Sequence, residues 1–196
     1  NGLTHDDSFF SFYKREKVDD KERYCSKRKY IGIMPTGRTQ MTTQMRLAAI
    51  IFVHRAIFEL EYGNEADFEK AADNYYSVLS YFNSLREVGK TDALFYTEYA
   101  KYTKRLFKRV LRYGNLMDCF YSGDNLSKAE LTSRLSGEEI NGKFAEVEQR
   151  WEMTHRLPFK DEAGNWNKAV VPPDYILATN MISVGLDVSR FNTIIM

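Results

Sequence analysis

Between Asp174 and Asp187 the chain reads Asp-Tyr-Ile-Leu-Ala-Thr-Asn-Met-Ile-Ser-Val-Gly-Leu-Asp. The apolar run Tyr175 to Ala178 reads as a strand, and two hydrogen-bonding side chains, Thr179 and Asn180, sit at its end. Gly185 and Asp187 follow at a short remove. In an open α/β sheet, ligands are held at the carboxyl ends of the strands. A hydroxyl and backbone amides there bind phosphate oxygens without reading base sequence. A glycine lets the backbone approach a ligand closely, and a carboxylate accepts hydrogen bonds from a ribose hydroxyl. A second apolar strand at Thr193–Met196 is expected to lie buried beside the first.

Other segments carry the same kind of chemistry. Gly32-Ile-Met-Pro-Thr-Gly-Arg-Thr39 nearly fits the phosphate-loop pattern G-x-x-x-x-G-K-[ST], with Tyr30–Pro35 read as a strand ahead of it and a helix behind. Arg38 stands where the lysine belongs, and a planar guanidinium does not replace a compact ammonium. No apolar strand ends in a metal-binding acid, so a working nucleotide loop is not expected. The amides of Thr36, Gly37, Arg38 and Thr39, at a helix N-terminus, suit a phosphate such as that of nucleic acid; a plain strand-to-helix turn is the other reading. A strand at Tyr76–Phe82 ends in Asn83-Ser84, where a helix can begin. A third short strand, Glu130–Leu135, carries Ser133 and Arg134 near its end. Lys101, Lys104, Lys108 and Arg112 recur at steps of three and four, with Arg105 and Arg109 beside them and Tyr99, Tyr102 and Tyr113 interleaved. Such a stripe tracks a phosphate backbone or is a solvated helix face.

The elements that must position these residues alternate between strand and helix. Thr39 or Thr42 caps a helix running to about Tyr62, where Gly63-Asn64 ends it. A short helix follows near Ala66–Ala72, and a long helical region runs from about Asp92 to Tyr113, stopped by Gly114. Ser136-Gly-Glu-Glu139 has the capping-box form and starts a helix toward Thr154. Residues 156–173 read as an irregular connection, and residues 1–29 as a charged arm, helical or irregular. Apolar strands alternating with helices imply an α/β fold with a mostly parallel sheet covered on both sides.

The composition, with 43% hydrophobic and 28% charged residues, is that of an ordinary soluble domain. A net charge of +1 neither demands nor excludes nucleic acid. No apolar run reaches the ~18–20 residues of a membrane span, so no membrane partner is expected. Cys25 and Cys119, without a CxxC partner, read as free thiols of a reducing compartment, and hence of the cytoplasm. His5, His54 and His155 are too scattered for a zinc site, and Trp151 and Trp166 read as core.

The pattern Ala178-Thr179, five residues, Gly185-Leu186-Asp187 resembles motif V of superfamily 2 helicases, and Tyr81-Phe-Asn-Ser-Leu-Arg-Glu87 resembles their motif IV. The order of these segments is similar to that in large bacterial helicase-like proteins, including those of DISARM-type phage defence. The resemblance implies that residues 30–196 are the second, C-terminal RecA-like domain, a P-loop-NTPase-like sheet flanked by helices, with helical insertions, ending before motif VI and its arginine finger. It implies that Thr179, Asn83, Ser84, Ser133 and Arg134 contact the nucleic-acid backbone, and that Gly185 and Asp187 line the nucleotide. ATP and Mg would then serve the full-length parent only, with none bound by this fragment alone. The partners would be single-stranded or duplex nucleic acid and the first RecA-like domain of the same chain. Because ATP in this family sits between two domains, the fragment by itself is expected to lack ATPase activity. The polar start and the end inside a strand lead us to expect a piece of a longer chain. The alternative is a non-catalytic α/β interaction module that binds a protein or nucleic acid without nucleotide.

Overall fold

The computed structural model describes residues 15–18, 21–24, 29–63, 66–114, 126–152, 159–160, 166–167, 171–179 and 191–196. They fall into two compact units, Asn1–Thr36 and Gly37–Met196. Cys25, Cys119, His5, His155, Asn180, Gly185 and Asp187 lie outside the described residues.

In the first unit, strands β1 (Arg15–Val18) and β2 (Lys21–Tyr24) form an antiparallel hairpin. The described part of the charged arm is therefore strand, not helix. The register pairs Glu16 with Arg23 and Lys17 with Glu22 along the ladder. Tyr30–Pro35 forms no strand; Tyr30, Ile31, Ile33 and Met34 are exposed. Among the described residues no strand pairs with this run, so its apolar pattern has no ladder to join.

The second unit begins with helix α1 (Gln40–Tyr62), capped by the Thr39 hydroxyl accepting from the Thr42 amide and stopped at Gly63. Helix α2 (Phe68–Tyr76) leads into β3 (Val78–Phe82). From Leu85 to Gly114 the chain is continuously helical: α3 (Leu85–Leu94), one π-helical turn (Phe95–Tyr99) and α4 (Ala100–Gly114). Strand β4 (Lys128–Leu131) and helix α5 (Gly137–Glu148) follow. The expected capping box of α5 is present, with Ser136 and Glu139 each bonding the other's backbone amide. A short antiparallel pair, β5 (Phe159–Lys160) and β6 (Trp166–Asn167), interrupts what reads as an irregular connection. Strands β7 (Tyr175–Thr179) and β8 (Thr193–Ile195) complete the set.

The sheet is four-stranded and parallel, in the order β4–β7–β3–β8. The α/β expectation holds, and the sheet is consistent with a RecA-like fold. Side chains alternate between its faces. Tyr175, Leu177, Val78 and Phe82 join Ala48 and Phe52 of α1 and Val88, Phe95 and Tyr99 of the next helical run. Ile176, Ala178, Leu79, Ala129 and Leu131 join Val147 of α5 on the other face. The two last strands are not neighbours, contrary to expectation; β3 lies between them. Nor is β8 a core strand, since Ile194 is 46% exposed at the sheet edge. Leaving β3 the chain moves toward β4, whereas leaving β7 it moves toward β8, in the opposite direction. The carboxyl ends of β3 and β7 thus flank the topological switch point, where ligands of open α/β sheets bind.

A buried polar network fixes the opposite, amino edge. The Arg55 guanidinium donates to the Tyr76 carbonyl and to Asp174 Oδ1. Asp174 Oδ2 accepts from the Ser127 amide at 2.7 Å and the Ser127 hydroxyl at 3.0 Å. The Ser77 hydroxyl donates to the Pro173 carbonyl at 2.7 Å. The Asp174 carboxylate therefore ties α1 to the starts of β4 and β7, and Arg55 carries the link on to the residues before β3. Among the described residues no helix is long and apolar enough to cross a membrane.

Candidate functional site

At the carboxyl edge, the register pairs Phe82 with Thr179. This sets the Asn83-Ser84 turn beside the end of the motif V-like strand. Ser84 caps α3: its hydroxyl accepts from the Glu87 amide at 3.3 Å, and the Glu87 carboxylate accepts from the Asn83 amide at 3.2 Å. The pattern Ser-x-x-Glu announces the Ser84 cap, but the Glu87 carboxylate bonds the amide one residue before the cap, and Glu87 is the site residue that the sequence pattern did not mark. Asn83, Ser84 and Glu87 are all exposed. By helix geometry the Leu85 and Arg86 amides lack intrahelical acceptors, and the dipole at this end favours an anion. The Glu87 carboxylate already stands there, so an incoming phosphate must displace or share it.

Arg134 reaches the same place from the other side. It lies in the turn after β4, with its Nη2 donating to the Leu85 carbonyl and its Nε 4.0 Å from Glu130 Oε1. Gly89 makes room for it: a Cβ at residue 89 would meet Arg134 Nη2 at 3.2 Å. The structure thus brings Asn83, Ser84 and Arg134 together at the first turn of α3. Ser133 is exposed in the same turn as Arg134.

Thr179 departs from expectation. It is the last residue of β7 rather than the first beyond it, and only 7% of it is exposed. By alternation it shares the Tyr175–Leu177 face, beneath the layer that holds α3. Its buried Oγ1 has no hydrogen-bond partner. A free, outward hydroxyl is therefore corrected to a buried one without a partner, an arrangement that costs a desolvation penalty.

Thr36, Gly37, Arg38 and Thr39 are all exposed. Gly37 has φ 68°, a left-handed conformation that suits glycine. Without a strand ahead, the segment lacks the context of a phosphate loop. Thr39 is occupied as a cap, its Oγ1 2.9 Å from Thr42 Oγ1. No hydrogen bond or ion pair among the described residues joins Gly37–Thr39 to Asn83, Ser84 or Thr179. Trp151 is core as expected, packed on Phe68 and Tyr76.

Comparison with known proteins adds one relative. No family model matches the chain. Over 194 residues, 99% of its length, the chain is 30% identical to the DISARM protein DrmA of Bacillus paralicheniformis. The chain spans only 14% of that relative. The similarity carries the expected likeness to a DISARM protein; it does not reach the narrower assignment to the second half of a helicase motor.

Proposed function

We propose that this chain is the second RecA-like half of an ATP-dependent nucleic-acid helicase or translocase, supplying phosphate-backbone contacts and one face of an interdomain nucleotide site. The observation that carries the reading is the pairing of Phe82 with Thr179 at the switch point, with Arg134 folded onto the first turn of α3. This rim offers a phosphate the Leu85 and Arg86 amides and a guanidinium, with the Thr179 hydroxyl buried beneath it. Such a donor set suits an oxyanion of nucleic acid or nucleotide. ATP with Mg, held against the first RecA-like domain, would supply the free energy that closes and reopens the two halves. Gly185 and Asp187 keep their nucleotide-lining role through the resemblance alone. Arg134 and the helix terminus would orient the backbone.

The runner-up, a nucleotide-free interaction module, draws on the buried Thr179 and on the Glu87 carboxylate at the helix terminus. Fluorescence anisotropy of labelled single-stranded oligonucleotides with the full-length parent separates the two. The motor reading expects salt-dependent binding, weakened about tenfold by Arg134→Ala, as for loss of a charge-assisted hydrogen bond, together with nucleic-acid-stimulated ATP hydrolysis. Salt-independent or absent binding, or binding indifferent to both Arg134→Ala and Ser84→Ala, would favour the module.

A further inference from the structure

Helix α4 turns one side to the protein and the other to solvent. Thr103 and Phe107 are buried, and Leu106 and Val110 pack with Phe107 against Val53, Ala56 and Ile57 of α1. The outward side carries Lys101, Arg105, Lys108 and Arg109, all exposed. None of these four forms an ion pair with a described residue. The helix holds six of the chain's 28 lysines and arginines and none of its 27 acids, so the rest of the chain is net negative.

A solvated helix face ordinarily mixes signs, because opposite charges three and four residues apart support the helix. Here Lys101 and Arg105, Arg105 and Arg109, and Arg105 and Lys108 stand at those spacings with like charge. Each pair opposes the helix that carries it until an anion arrives. A membrane-surface helix needs an open apolar side, and that of α4 is already spent on α1. From Lys101 to Arg109 the cations run about 12 Å along the axis at 1.5 Å per residue. That matches three to four nucleotide steps of roughly 3.4 Å.

We infer that the outer face of α4 is a second nucleic-acid surface, gripping the phosphate backbone through Lys101, Arg105, Lys108 and Arg109 without reading bases. It stands independently of the sheet rim. The test compares the full-length parent with its K101Q/R105Q/K108Q/R109Q variant by anisotropy on a labelled single-stranded oligonucleotide across a salt series. The inference expects a loss of ten- to a hundredfold at low salt. The log–log salt slope should flatten by up to about 3, at roughly 0.7 per released contact on a single strand. R105K/R109K, which keeps the charge, should retain both. Melting of the quadruple variant at or above the parent's temperature supports a functional stripe; melting clearly below it marks the cations as structural and overturns the inference. Unchanged affinity and slope overturn it too, as does a loss confined to binding of phosphatidylserine vesicles. Arg134→Ala, measured alongside, reports on the rim alone, so either proposal can fail without the other.

Discussion

The Arg55–Asp174 pair is where the fold is most exposed to a single change. Their side chains are 9% and 3% exposed, so both charges are nearly dry. Asp174→Asn keeps only one acceptor oxygen. If that oxygen faces Arg55, the new amide nitrogen faces the Ser127 N–H, a donor against a donor; if it faces Ser127, the guanidinium is left opposite a donor. Either way the buried Arg55–Asp174 pair is broken on one side, which costs about 3–5 kcal/mol. At the low end, about 3 kcal/mol corresponds to a fall in melting temperature of roughly 6–12 °C for a domain of this size. Arg55→Met should cost a similar amount by stranding the carboxylate. The double variant should recover part of the loss, because with Arg55 gone the remaining oxygen of residue 174 can face the Ser127 amide and no charge is left unpaired between the two positions, yet the Tyr76 carbonyl still loses its donor. Circular-dichroism melts of the two single variants and the double variant close the cycle. The site should suffer with the fold, since Asp174 also anchors β3 through its carbonyl, which accepts from the Val78 amide at 2.9 Å. If each single variant melts within about 2 °C of the parent, or the losses simply add, the amino edge is not fixed as argued.

Thr179→Val removes a buried hydroxyl without a partner while preserving shape, so stability should hold or rise by up to about 1 kcal/mol; a clear drop in the denaturant midpoint would reveal a partner for Oγ1. Tyr99 donates to the Tyr175 hydroxyl at 2.8 Å in the core, and Tyr99→Phe should cost about 1–2 kcal/mol, read from urea unfolding. Burial, reinforced by neighbouring Tyr175, holds the Tyr99 phenol well above its usual range. Its raised pKa means that the unfolded chain loses this proton first. Stability is therefore complete below about pH 10 and falls above it, and phenolate absorbance from Tyr99 should appear only with unfolding. The Glu139 carboxyl is held below its ordinary range by the Ser136 amide and then the Ser136 hydroxyl. That support is present above the unfolded pKa and is lost as pH falls through the folded one, so the protection of the first-turn amides of α5, taken against the intrinsic exchange rate at each pH, should fall in acid, below about pH 4; unchanged protection would contradict the cap. Gly89→Ala should push Arg134 off the Leu85 carbonyl and weaken oligonucleotide binding severalfold without unfolding the domain; unaltered binding would exclude Arg134 from the rim's work.

What was legible in the sequence is what local chemistry decides. Thr39 and Gly63 mark both ends of α1, Ser136 and Glu139 start α5, and the runs Tyr76–Phe82 and Tyr175–Ala178 read as buried parallel strands, which the structure places at Val78–Phe82 and Tyr175–Thr179. The arrangement of strands was not legible, because their neighbours are chosen by crossovers between distant segments; β7 and β8 follow one another in sequence and are separated in space. The same distance hides Arg55 from Asp174 and Arg134 from Leu85, contacts that no spacing rule announces. Tyr30–Pro35 shows the converse error, an apolar run with no ladder to join. The π-helical turn at Phe95–Tyr99 left no trace in the periodicity that joins its neighbours. Of the rim, the Asn83-Ser84 turn was readable from its strand and cap, whereas the inward position of Thr179 depends on where the strand ends.

The most direct test of the rim is a titration of the isotope-labelled chain with a short single-stranded oligonucleotide, followed by backbone amide and arginine side-chain NMR. The account predicts that the Leu85 and Arg86 amides and the Arg134 guanidinium shift together and saturate at one concentration, more weakly as salt is raised. If those signals stay still while oligonucleotide binds elsewhere, or none of the chain responds, the switch point is not a phosphate site.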